Sequence, residues 1–89
     1  MQQAYLEVTF RNGRPFAAYY YLPRRTGDRS HKTRQMEAGM LVDFARDGRA
    51  IGIEITAPSK TSLAALNRVL RDLGHSPVTR TDVAPLRAA

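Results

Sequence analysis

The chain has 89 residues, 43% hydrophobic and 25% charged, which fits one ordinary globular domain. It has no cysteine, so disulfides and thiolate metal sites are excluded, and no apolar run approaches the ~18 residues of a membrane span. Its net charge is +6 and its pI about 10.5.

The charge is unevenly placed. Residues 11–34 hold Arg11, Arg14, Arg24, Arg25, Arg29, Lys32 and Arg34 against Asp28 alone, so the whole excess lies there. The opening Met-Gln-Gln-Ala-Tyr has neither a basic region nor an apolar stretch. That is the pattern of a chain without a secretory leader, and a cytoplasmic protein is the expectation.

Tyr5 to Phe10 alternates, with Leu6, Val8 and Phe10 on one face and Tyr5, Glu7 and Thr9 on the other. Asn12-Gly13 then predicts a tight hairpin turn, because both residue types tolerate positive φ. Phe16 to Leu22 is aromatic and strand-like, with Pro15 at its start. Counting across the turn pairs Val8 with Ala17, Leu6 with Tyr19 and Tyr5 with Tyr20.

Pro23 to Gly39 is rich in charge and poor in apolar residues before Met36. It reads as a long exposed basic loop near 23–39. Met40 to Ile55 carries the clearest signal in the chain. Asp47-Gly48 predicts a two-residue turn that pairs Phe44 with Ile51, Val42 with Ile53 and Met40 with Ile55. Apart from Leu41, the large apolar residues then share one face.

Ser59 and Thr61 are plausible N-caps for the next segment. Leu63, Leu66, Leu70 and Leu73 recur at helical spacing, and Gly74 and Pro77 mark the end. Residues 75–89 have little periodicity and read as a loosely ordered tail whose Val78, Val83 and Leu86 pack or stay free.

These elements predict a single α+β domain over 1–89. It is a four-stranded antiparallel meander with strands near 5–10, 16–22, 40–45 and 50–56. One C-terminal helix near 61–73 packs on the isoleucine face, giving β-β-β-β-α.

The hairpin D-x-x-x-D-G-x-x-x-G-I-E-I followed by serine resembles a family of small, mostly bacterial proteins known only as a domain of unknown function. The matching residues are Ala18, Tyr20, Tyr21, Leu22, Asp43, Asp47, Gly48, Gly52, Ile53, Glu54, Ile55 and Ser59. The resemblance spans Phe16 to Ser59 and implies a compact α+β fold without implying an activity. Members often carry an Asp before the tyrosine strand, where this chain has Pro15-Phe16-Ala17.

Asp43 to Glu54 also invites a calcium-loop reading, with acids at its first, fifth and twelfth positions and Gly48 at the sixth. Ala45 at the third position has no side-chain oxygen, and the flanks alternate with period two rather than helically. A hairpin is the better reading, and no metal or other cofactor is expected. His31 and His75 lack metal-ligand spacing, and no order of Ser, His and Asp points to a nucleophile.

Three functional readings remain. The leading one is a small non-enzymatic interaction module, accessory or antitoxin-like, that forms a homodimer through Tyr19, Tyr20 and Tyr21, face to face or by edge pairing. The second is binding of nucleic acid, or an acidic protein, by Arg24, Arg25, Arg29, Lys32 and Arg34, with the tyrosines free for base stacking. The third is a small enzyme using Asp43 and Glu54, diagonal neighbours opposite the isoleucines. Gly52 between them marks a close approach to the backbone, by a partner side chain. No membrane partner is expected.

Overall fold

The computed structural model describes residues 3–87. Its elements are β1 (Tyr5–Arg11), β2 (Arg14–Tyr21), β3 (Lys32–Glu37), β4 (Met40–Phe44) and β5 (Ala50–Ile55). A 3-10 turn at Pro58–Lys60, the helix α1 (Leu63–Asp72) and a second 3-10 turn at Ala84–Arg87 follow. The α+β class and the antiparallel sheet agree with expectation, but the sheet has five strands and its order is β1-β2-β5-β4-β3.

Two features of the expected meander are therefore corrected. Residues 32–37, read as loop, form β3, which pairs with β4 through Thr33 opposite Asp43 and Arg34 opposite Val42. The second strand pairs with β5 rather than with β4, through Ala18 opposite Ile55 and Tyr20 opposite Ile53. The chain crosses from β2 to the far edge and returns as β3-β4-β5.

Both hairpin registers hold a bulge. At Asn12-Gly13 both φ angles are positive, 52° and 76°, as a type I′ turn requires. Arg11 faces Arg14 and Phe10 faces Pro15, but Thr9 faces Ala17, so Phe16 is an extra residue. Beyond it Val8 faces Ala18 and Leu6 faces Tyr20, one place on from the simple count. In the other hairpin Met40–Ile55 and Val42–Ile53 pair as expected, but Phe44 faces Ala50 and Ile51 is the extra residue. The Gly48 N–H reaches the Ala45 carbonyl at 2.9 Å, and the Ala45 N–H reaches the Arg49 carbonyl at 2.8 Å. With Gly48 at φ 93°, the connection is a three-residue loop closed by a glycine bulge, not a two-residue turn.

One face of the sheet is apolar. Ala18, Leu22, Met40, Val42, Ile53 and Ile55 are buried against Leu66, Val69 and Leu70 of α1, with Phe44 and Leu63 partly buried beside them. Burying each large aliphatic group contributes roughly 1.5–3 kcal/mol. The Ser62 hydroxyl caps the helix, accepting from the Ala65 N–H at 3.0 Å. At the other end the N–H groups of Gly74 and His75 reach the carbonyls of Arg71 and Leu70 at 3.0 and 2.8 Å, a Schellman closure.

The segment after the helix differs from the loose tail expected. Val78, Val83 and Leu86 are buried in the same core. The Asn67 side chain clamps Val78, accepting from its N–H at 2.8 Å and donating to its carbonyl at 3.1 Å. Arg87 donates to the carbonyls of Pro58 and Thr61, joining the two 3-10 turns. Among the described residues no helix is long and apolar enough to cross a membrane.

Candidate functional site

The opposite face of the sheet is uncovered by any helix. The registers bring Tyr5 and Glu7 of β1, Tyr19 and Tyr21 of β2, Gly52 and Glu54 of β5, Leu41 and Asp43 of β4, and Thr33 and Gln35 of β3 to this side. Its centre is Asp43.

Gly52 lies between Tyr21 on one neighbouring strand and Asp43 on the other. The Tyr19 ring crosses directly over it, so a Cβ at position 52 would overlap the ring and its hydroxyl. That crossing lets Tyr19 Oη donate to Asp43 Oδ2 at 2.7 Å, two strands away. Asp43 Oδ1 accepts from Thr33 Oγ1 at 2.5 Å and from Ser30 Oγ at 3.1 Å. One carboxylate thus collects three hydroxyls from β2, β3 and the loop before β3.

Burial pushes the Tyr19 hydroxyl up to about 12, helped by its hydrogen bond to Asp43 and by that carboxylate's charge. Tyr19 is therefore a neutral phenol at physiological pH, a donor rather than a base or nucleophile. Tyr21 stacks on Tyr5 with ring centroids 4.3 Å apart, meets Tyr19 edge-on at 4.6 Å, and donates to Glu7 Oε1 at 3.3 Å.

Tyr20 points the other way and packs against the core. The three tyrosines grouped from the sequence are split between the two faces. Pairing through a free edge of their strand is also corrected, because β2 is flanked on both sides by β1 and β5.

The five basic residues of the 23–39 segment do not form one patch. Arg24 is half-buried; its Nη2 donates to the Ile51 carbonyl at 2.5 Å and its guanidinium carbon lies 5.1 Å from the Tyr21 ring centre. The Leu22 N–H reaches the same bulge carbonyl at 3.1 Å, so Arg24 braces the bulge. The Arg25 N–H holds Asp28 Oδ2 at 2.8 Å, and Asp28 takes both ends of the Arg49 guanidinium at 3.0 and 2.9 Å. That fork, with the Arg25 N–H, keeps the Asp28 carboxyl below its usual range. Arg29 lines the cleft around this pair. Lys32 and Arg34, opposite Phe44 and Val42, lie on the helix side of the edge strand β3.

Arg24 meets the Tyr21 ring but is held on the Ile51 carbonyl, and Tyr5, Tyr19 and Tyr21 share their face with the acidic Glu7, Asp43 and Glu54. Asp43 and Glu54 are diagonal neighbours, but Asp43 is engaged by hydroxyls while Glu54 is exposed beside Leu41 and Tyr19. Sequence reasoning missed Ser30 and Thr33 as partners of Asp43. The alternation of Thr33 and Gln35 against Lys32, Arg34 and Met36 was the available signal. Among the described residues no group of three or more His, Cys, Asp or Glu is placed to hold a metal. No known protein family, curated protein or solved structure matches the chain.

Proposed function

We propose that this chain is a non-enzymatic interaction module that self-associates as a two-fold dimer through β1, and a member of the small bacterial family that its central hairpin resembles. The observation that carries the dimer reading is the contrast between the two sheet edges. The β3 edge is guarded by Lys32 and Arg34, the usual protection against strand pairing. The β1 edge is seven residues long, holds neither Lys nor Pro, carries Glu7 and Arg11 of opposite sign, and leaves Phe10 47% and Tyr5 48% exposed.

The sequence of β1 is complementary to itself. Antiparallel pairing about Thr9 sets Glu7 of one copy opposite Arg11 of the other, twice, and sets Val8 opposite Phe10. Opposed cross-strand charges and apolar pairs each contribute roughly 0.2–1 kcal/mol. Such a dimer joins two five-stranded sheets into one continuous sheet. An open face whose central carboxylate is saturated by hydroxyls favours binding over acid–base chemistry.

The test is light scattering at micromolar concentration with charge reversal. The wild type is expected to be a dimer. Glu7→Arg and Arg11→Glu should each be monomeric through like-charge opposition, and the double swap should restore the dimer. A monomeric wild type, or dimers indifferent to both single reversals, would sink the reading.

A further inference from the structure

A second surface lies at the other edge of the sheet and on its other side. Lys32 and Arg34 project from β3 on one face, two residues apart, and Arg46 meets them from the β4–β5 loop. The three line a groove with His31 and Phe44, and no carboxylate lines it. The His31 N–H is fixed to the Phe44 carbonyl at 2.8 Å, which anchors the start of β3 beside the loop. The Arg34 guanidinium sits over the Phe44 ring, 6.0 Å from its centre.

Most cations of the chain stand outside an ion pair among the described residues, and what distinguishes these three is the groove they share. Arg49 is committed to Asp28 and Asp47, and Arg68 to Glu37. Lys32, Arg34 and Arg46 have no such acidic partner among the described residues. Three like charges set together on a small protein repel one another, and a bound polyanion relieves that repulsion.

The dimensions narrow the ligand. A volume of about 260 Å³ is below that of a pocket enclosing a drug-sized molecule, and the groove is open at the sheet edge. Residues two apart on a strand are about 6.6 Å apart, close to the separation of neighbouring phosphates on an extended nucleic-acid strand. A guanidinium lying over an aromatic ring also offers a flat surface on which an unpaired base can stack.

We propose that this groove binds single-stranded nucleic acid, with Lys32, Arg34 and Arg46 on successive phosphates and the Arg34–Phe44 pair beneath a base. The site goes beyond the dimer reading and does not depend on it, because β1 and β3 are opposite edges.

The experiment is fluorescence anisotropy with a labelled oligo(dT) of about 12 nucleotides. Binding should weaken with salt, with a logarithmic slope of about −2 for three contacts on a single strand. Lys32→Ala and Arg34→Ala should each weaken binding and make the slope shallower by about 0.7. Lys60→Ala, the same charge change in the 3-10 turn at Pro58–Lys60, should leave both unchanged. Equal loss in Lys60→Ala overturns the site in favour of general charge attraction. Equal affinity for a duplex of the same length overturns the single-strand assignment. Displacement by inorganic phosphate at an equal phosphate concentration reduces the groove to a small-anion site and overturns it as well. Absence of binding at low salt ends the proposal.

Discussion

Tyr19 reaches Asp43 only because position 52 has no side chain: its ring lies over Gly52, and its hydroxyl meets the carboxylate at 2.7 Å. The two residues belong to strands that are not neighbours, with β5 between them. Any group added to the backbone beneath the ring must displace it. Gly52→Ala should therefore be destabilising through Tyr19 rather than through backbone strain. Tyr19→Phe removes the hydrogen bond and leaves Asp43 short of one donor, at a cost of about 1–3 kcal/mol. The discriminating measurement is a double-mutant cycle by urea unfolding. The cost of Gly52→Ala should shrink markedly when position 19 is already Ala, and equal costs in both backgrounds would show that the crossing does not govern position 52.

Alkaline pH probes the same contact. The folded state holds the Tyr19 proton more tightly than the unfolded chain does, since burial and Asp43 raise its pKa from 10.0 to about 12. Below pH 10 both states are protonated and the stabilisation is fully present. As pH rises from about 10 towards 12 the unfolded chain ionises first, and stability is lost progressively. Tyr20 and Tyr21 are shifted the same way, each chiefly by burial. Tyr19→Phe should therefore reduce the alkaline loss without abolishing it. An unchanged pH profile in that variant would contradict the contact.

The two faces of β4 and β5 should respond differently to truncation. Ile53 is fully buried between sheet and helix, so Ile53→Ala should cost roughly 2–5 kcal/mol. Leu41 is half-buried on the uncovered face, and Leu41→Ala should cost below about 1 kcal/mol. Chemical denaturation of the two variants checks the assignment. Similar costs would mean that something covers the open face in solution.

Asn67 is expected to hold the segment after the helix in place. It satisfies both backbone groups of Val78, whose side chain is buried. Asn67→Ala should cost about 1–3 kcal/mol. It should also speed amide exchange at Val78 relative to the central strands. Exchange at Val78 as slow as in the wild type would assign the anchoring to Leu86 and Arg87 instead.

Much of this fold was legible in residues 40–73, where turn glycines, alternation and a leucine stripe agree with one another. Ile53, Ile55, Leu66 and Leu70 are buried together as their spacing requires. The strand at 32–37 was not legible, because an edge strand facing solvent carries Lys32, Thr33, Arg34 and Gln35 without an apolar face. Periodicity also does not report which strands pair across a long connection, so β2 beside β5 was invisible. Asp43 and Gly52 stand out in the sequence, but the close approach expected at Gly52 from a partner side chain is made by the chain's own Tyr19. That the visitor is Tyr19 depends on the pairing of β2 with β5 and on a ring that spans a strand, neither of which leaves a mark in residue spacing.

The strand order also sets how the chain can assemble. Each hairpin closes over a short span, but the seam between β2 and β5 joins Ala18 to Ile55, 55 − 18 = 37 residues apart. Closing a long span costs entropy that no single contact returns, so local hairpins form more readily than the seam. The innermost strand is also the last to be made, and the sheet stays in two halves until Ile55 has emerged. Tyr19 over Gly52 is then a latch thrown when the halves meet. Folding-rate measurements on seam variants such as Ala18→Gly should show little change in the rate of folding and a clear rise in the rate of unfolding.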